Sequence, residues 1–271
     1  MYITNDVEVS KIAEENGVDR IFVDLEYLGK EERQHNMDTV KSKHTLMDVA
    51  AIRKVLNKSE LFVRVNKMNE NSAEEINGAI ENGADIIMLP YFKTIEEVRL
   101  FISYISGRVR SCLLIETPEA VEILDDILAL DGIDEMYIGL NDLHLGYKRK
   151  FMFELLADGT VDKISEKIKQ KGIPFGFGGI SYIGGGLLPA ERIITEHYRI
   201  GSSTVILSRS FCNTSDKTIK SISDIFTTEV KNIRKFEDSL TNLSDAEIAD
   251  NRTKIAEIVE KIVNKKGEND V

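Results

Sequence analysis

Cysteine is scarce: Cys112 and Cys212 are the only two in 271 residues. Two are too few for a disulfide framework, and they lack the spacing of metal ligands, so a reducing compartment, the cytoplasm, is expected. Long apolar runs are absent too. None approaches the ~20 residues of a membrane-spanning helix. The opening MYITNDVEVS carries charge early and has no apolar signal-peptide core, so no secretory leader is expected. Positive charge is in deficit, with 35 Lys and Arg against 46 Asp and Glu and a net charge of −11. Such a surface repels nucleic acid and anionic lipid, which excludes both as expected partners.

What the chain does have is an alternation. Short apolar runs occupy residues 1–4, 20–25, 61–65, 86–89, 112–115, 136–138, 174–177 and 204–207. They are mostly free of charge, as strands of a parallel sheet buried on both faces should be. Amphipathic stretches separate them. Val98, Phe101, Ile102 and Ile105 fall at helical spacing, as do Val121, Leu124, Ile127 and Leu128. Ser72 with Glu75, Thr94 with Glu97, and Ser244 with Glu247 read as capping boxes, and Thr117-Pro118 as an N-cap followed by proline. Gly17, Gly83, Gly107, Gly172 and Gly201 each stand where a helix should stop before a strand.

Eight strands alternating with helices over ~250 residues predict a (β/α)₈ TIM barrel with additional C-terminal helices. The alternative, an open doubly wound sheet, should carry a glycine-rich loop after its first strand. Here that turn is Thr4-Asn5-Asp6-Val7. Residues 1–212 hold the barrel strands and helices. Residues 213–271 hold the final barrel helix and a helical extension. Its stripe of Ile255, Ile258, Val259 and Ile262 packs on its own barrel or on a neighbouring subunit, and the polar tail from Asn264 is expected to fray.

In such barrels the catalytic candidates lie at the C-terminal ends of strands. Glu116 ends the fifth strand and Asp142 follows the sixth, so two carboxylates can converge on a hard divalent cation such as Mg²⁺ or Mn²⁺. The structural alternative is that each caps a following helix. Arg64 ends the third strand, where its fork suits a carboxylate or enolate oxygen, or an internal ion pair with Glu26 or Glu116. Asp24 and Glu26 share one side of the second strand as partners of Arg64 or Arg33, or as groups behind a metal. Gly178 and Gly179 end the seventh strand, where they admit a ligand's approach or relieve crowding. Arg209, past the eighth, faces an anionic substrate group. His144 is the histidine expected nearest the site. His35 and His44 lie in the loop after the second strand, and His197 reads as structural.

These residues carry a resemblance. Phe22-Val23-Asp24-Leu25-Glu26, Val63-Arg64-Val65-Asn66, Gly83-Ala84-Asp85-Ile86-Ile87-Met88-Leu89-Pro90, Leu114-Ile115-Glu116-Thr117-Pro118 and Ile138-Gly139-Leu140-Asn141-Asp142-Leu143 together resemble the HpcH/HpaI aldolase and citrate lyase β-subunit family of the phosphoenolpyruvate/pyruvate barrels. The resemblance implies a homo-oligomeric, metal-dependent carbon–carbon lyase or aldolase acting on a small carboxylate substrate. It implies Mg²⁺ or Mn²⁺ on Glu116 and Asp142, and Arg64 on the oxygen that becomes an enolate. The chain departs from the pattern at Tyr27, which stands where the aldolase branch has an acid–base histidine. His44 or Tyr27 itself is the expected substitute. The other reading is a barrel that binds a small carboxylate ligand without turnover. The run Gly184-Gly185-Gly186 stays without a role.

Overall fold

The computed structural model describes residues 1–29, 44–215 and 217–269; Arg33 and His35 lie outside these. Among them, eight parallel strands close into a barrel in chain order. The strands are β1 (Tyr2–Ile3), β2 (Arg20–Asp24), β3 (Glu60–Arg64), β4 (Ile86–Leu89), β5 (Arg110–Ile115), β6 (Glu135–Ile138), β7 (Phe175–Ile180) and β8 (Thr204–Leu207). The helices are α1 (Val7–Glu15), α2 (Leu46–Arg53), α3 (Ser72–Glu81), α4 (Ile95–Ile105), α5 (Pro118–Glu122), α6 (Leu124–Ile127), α7 (Leu140–Gly146), α8 (Glu154–Ala157), α9 (Thr160–Gln170), α10 (Ala190–Ile200), α11 (Ile219–Leu240) and α12 (Asp245–Asn269). No helix among the described residues is long and apolar enough to cross a membrane.

Period-two alternation divides each strand between two cores. Ile21, Val23, Leu61, Val63 and Leu113 join the large cluster between sheet and helices. Phe22, Phe62, Ile86, Met88, Cys112, Leu114 and Tyr137 form a second cluster inside the barrel. Beneath that plug, three strands start earlier than their apolar runs, at Glu60, Arg110 and Glu135. The reason is a closed ring of charge. Arg20 donates to Glu60 (2.9 Å) and, through two nitrogens, to Glu135 (2.6 and 2.9 Å). Arg110 donates to Glu135 (3.0 Å) and to Glu60. Each carboxylate is shared by two guanidinium groups, so no member is left unpaired under the apolar plug.

The seam between β7 and β8 slips in register between Gly176 and Gly179. Tyr137 occupies that space. A Cβ on Gly176 would lie 2.5 Å from its ring. Its hydroxyl donates to Gly178 O (2.6 Å) and accepts from Ile206 N (3.0 Å).

The boundary signals hold at Thr94, Thr117 and Ser244. All five expected stop glycines adopt positive φ. A further capping box, Thr45 with Asp48, opens α2. The box expected at Ser72 and Glu75 does not form. Asn71 is the N-cap, Ser72 Oγ accepts from Asn69 N (2.8 Å), and Glu75 is drawn away to Asn66. The extension packs on its own barrel. Ile255 and Val259 are buried, and buried Asn251 donates to Arg192 O (3.0 Å) of α10. The last helix extends to Asn269.

Candidate active site

The exits of β2 and β3 form one unit. Their register sets Asp24 beside Arg64. Arg64 grips Asp24 with two parallel hydrogen bonds, Nε to Oδ1 and Nη2 to Oδ2, both 2.8 Å. Glu26 Oε2 lies 3.3 Å from the same Nε. Burial opposes the guanidinium charge, but Asp24 and Glu26 outweigh it and hold Arg64 well above its ordinary pKa. Glu116 adds further attraction. The Phe22 ring lies under the guanidinium, 5.5 Å from centroid to carbon. Nη1 has no protein hydrogen-bond partner among the described residues and keeps donors for a ligand.

Asn66 holds this unit together. Its Oδ1 accepts from Tyr27 N and Leu28 N (both 2.9 Å), and its Nδ2 donates to Leu25 O (3.2 Å). Glu75 in turn accepts from Asn66 Nδ2 (2.6 Å) and Asn66 N (3.0 Å). Burial pushes the Glu75 carboxyl pKa up. Asn66 stood in the arginine motif of the sequence, but nothing local revealed that it would bind the neighbouring loop.

Glu116 follows β5 and is buried. Its Oε1 accepts from Tyr91 N (3.0 Å). Across from it, a Cβ on Gly139 would stand 2.8 Å from Glu116 Cβ and 3.0 Å from Oε2. Leu114 Cδ1 stands 3.1 Å from the same point, so the Gly139 backbone packs against the carboxylate with no room for a side chain. Gly139 N also donates to Ile115 O (2.9 Å), which fixes the β6 exit against the β5 exit. Asp142 sits half-buried in the first turn of α7, whose N-cap Gly139 offers no side chain. A negative charge is favourable there.

This donor set suits a hard cation. Glu116 follows β5 and Asp142 lies in the helix after the adjacent β6, and both are oxygen donors of the kind such an ion takes beside water and substrate oxygens. Among the described residues no group of three or more His, Cys, Asp or Glu is arranged to hold a metal.

The other candidates divide. His44 Nδ1 accepts from Asp24 N (3.0 Å), so the neutral ring carries its proton on Nε2. Tyr27 is 65% exposed, tied to the site through its backbone. Both line an open cavity of about 540 Å³ with Asn66, Asn69, Asn71 and Glu74. Arg64, Glu116 and Asp142 are not among its walls. His144 is buried, with Nδ1 3.1 Å from Leu140 O within α7. His197 stacks on Phe177 behind the barrel (3.7 Å, 4°). Gly178 adopts φ +56 beside Leu140, and a Cβ on Gly179 would meet ordinary contacts. Arg209 is exposed beyond β8.

The sequence matches the family model HpcH/HpaI aldolase/citrate lyase over residues 4–181. No curated protein matches it by sequence. Several solved barrels are similar. An HpcH/HpaI aldolase from Desulfitobacterium hafniense shares 15% identity at a TM-score of 0.60, covering 86% of this chain and 92% of its own. Citrate synthase SbnG shares 15% at 0.59, covering 88% and 93%. Macrophomate synthase shares 17% at 0.56, covering 77% and 76%. At these identities the likeness speaks for the fold.

Proposed function

The chain belongs to the HpcH/HpaI aldolase/citrate lyase family, and on that premise we propose that it is a divalent-metal-dependent carbon–carbon lyase or aldolase. It acts through the enolate of a pyruvate-like 2-oxo acid or acyl substrate. The observation that carries this reading is Arg64. Its guanidinium is held rigid and charged by Asp24 and Glu26, with the carboxylate of Glu116 close enough to act on its charge. The names of the similar barrels, aldolase and citrate synthase, point the same way.

In the cleavage direction a base takes the proton of the hydroxyl on the departing carbon, which leaves as a carbonyl compound; the electron pair of the broken carbon–carbon bond moves onto the substrate's carbonyl oxygen as an enolate, and a proton then returns to the enolate carbon. Arg64 stabilises the oxygen with a donor that is already fixed, so little reorganisation is needed as charge develops. A Mg²⁺ or Mn²⁺ ion, when held by Glu116 and Asp142, supplies a second positive charge there. His44 is better placed than exposed Tyr27 to handle the proton, because Asp24 N orients its ring. The cavity beside His44 and Tyr27 is where the leaving or adding group is accommodated. Gly178, Gly179 and Arg209 serve the substrate's carboxylate. The protein works in the cytoplasm as a homo-oligomer, which light scattering of the purified chain checks.

Exchange of the pyruvate methyl protons with deuterium, followed by NMR, tests the proposal. Metal-dependent exchange that vanishes in Glu116→Gln is expected. Pyruvate or oxalate binding without exchange supports the binding-only barrel. Neither binding nor exchange would overturn both.

A further inference from the structure

Tyr91 adopts φ +49, a left-handed conformation that a residue with a side chain rarely takes. It lies between β4 and α4, where a glycine would cost nothing. Such strain persists only where the surroundings impose it, and here they do. The turn is fastened to the segment after β5 at three points. Thr117 Oγ1 donates to Phe92 O (2.9 Å). Lys93 Nζ reaches Glu119 Oε1 (2.7 Å). The same ammonium sits 5.5 Å from the centroid of the Tyr91 ring. The third point is the Tyr91 N–H itself, on Glu116 Oε1.

We propose that the turn at residues 91–93 is a positioning device for Glu116. Its latches hold the Tyr91 amide in the strained orientation, the amide fixes Oε1, and the carboxylate then keeps Oε2 on the side of Gly139. Tyr91 and Lys93 are positioning residues and touch no substrate. A carboxylate with one oxygen fixed by a backbone amide needs less ordering as a cation arrives. Nothing in the local pattern of residues marks this turn. Tyr91 follows a strand-ending proline, and Lys93 reads as one more surface charge.

The inference rests on the metal reading of Glu116, and the test separates the two. Mn²⁺ is titrated into the full chain and the signal of the free ion is followed by electron paramagnetic resonance. Lys93 is exposed, so Lys93→Met is expected to fold normally and to weaken Mn²⁺ binding by about threefold, the scale of a surface ion pair. Lys93→Arg restores it. Replacing Tyr91 by its α-hydroxy acid, which exchanges the N–H for oxygen, weakens binding by about tenfold or more, as loss of a ligand's supporting bond does. A purely structural turn would shift the thermal midpoint and leave Mn²⁺ affinity alone. Wild-type affinity in both altered proteins would overturn the positioning role and leave the metal reading standing. A wild-type protein that binds no Mn²⁺ would overturn both.

Discussion

Asn66 and Glu75 face each other through two hydrogen bonds, side chain to Oε1 and backbone to Oε2, and through them α3 holds the loop that leaves β2. Asn66→Ala removes the acceptor for Tyr27 N and Leu28 N and one donor to a partly buried carboxylate. A loss of about 1–3 kcal/mol in urea unfolding is expected. Faster hydrogen exchange at the Tyr27 and Leu28 amides would accompany it. Unchanged exchange would mean that other contacts hold the loop.

Arg64 has a structural duty as well as the proposed catalytic one. Arg64→Ala removes the guanidinium that pairs Asp24 and Glu26 in a buried site, and a loss of about 3–5 kcal/mol is expected. Arg64→Lys keeps the charge and gives up the two-toothed grip. It is expected to remain folded by circular dichroism, while pyruvate proton exchange falls by about two orders of magnitude or more. Retained exchange in Arg64→Lys would remove the guanidinium from the mechanism.

Gly139 is required for space. Its backbone (φ −83, ψ 84) suits other residues, but the nearest atoms to an added Cβ are those of Glu116. Gly139→Ala is therefore expected to fold and to lose Mn²⁺ affinity by about tenfold or more in calorimetric titration. Affinity equal to that of the wild type would place the ion elsewhere.

His197 sets a pH dependence of stability. Burial lowers its pKa from the ordinary 6.5 to about 3, and Nδ1 lies 2.7 Å from Ser202 Oγ. Between those values the unfolded chain binds a proton that the folded protein does not. Stability is thus full above pH 6.5 and falls as the pH is lowered toward 3, by about 1.4 kcal/mol per pH unit for this group. His197→Phe keeps an aromatic partner for Phe177 and cannot titrate. On going from pH 7.5 to 5.0, the wild type should lose about 2 kcal/mol more than the variant in urea unfolding. Parallel losses would show that the ring is protonated in the folded state.

The floor of the barrel and its mouth are separable. Glu135→Gln leaves Arg20 and Arg110 each short of a partner, and a drop of about 3 kcal/mol or more is expected. Mn²⁺ affinity should stay at the wild-type value, since Glu135 begins β6 and Gly139 follows its other end. A parallel loss of affinity would show that the two ends are coupled.

The barrel was legible because parallel strands buried on both faces leave short apolar runs that periodicity detects. The floor ring was not. Arg20 meets Glu135 only because the closed register brings strands 115 residues apart to one level. The Ser72 and Glu75 motif misled for a related reason: a local pattern cannot show that Asn66 competes for the carboxylate. Glu116, Arg64, Asp24 and Glu26 were legible as polar residues at strand ends, and the pairing of Arg64 with Asp24 follows from the β2–β3 register. Tyr91 was invisible, because left-handed backbone at a tyrosine is imposed by contacts that a linear reading does not contain.

Where β7 and β8 slip past each other, a single phenol takes over work that the peptide ladder does elsewhere. Tyr137 acts as a rivet from the adjoining stave β6, joining a carbonyl on β7 to an amide on β8. One oxygen atom thus bridges the gap in a ladder that is direct above and below it. Tyr137→Phe would leave Gly178 O and Ile206 N without a go-between, and faster hydrogen exchange at the Ile206 amide is the expected sign of a loosened joint.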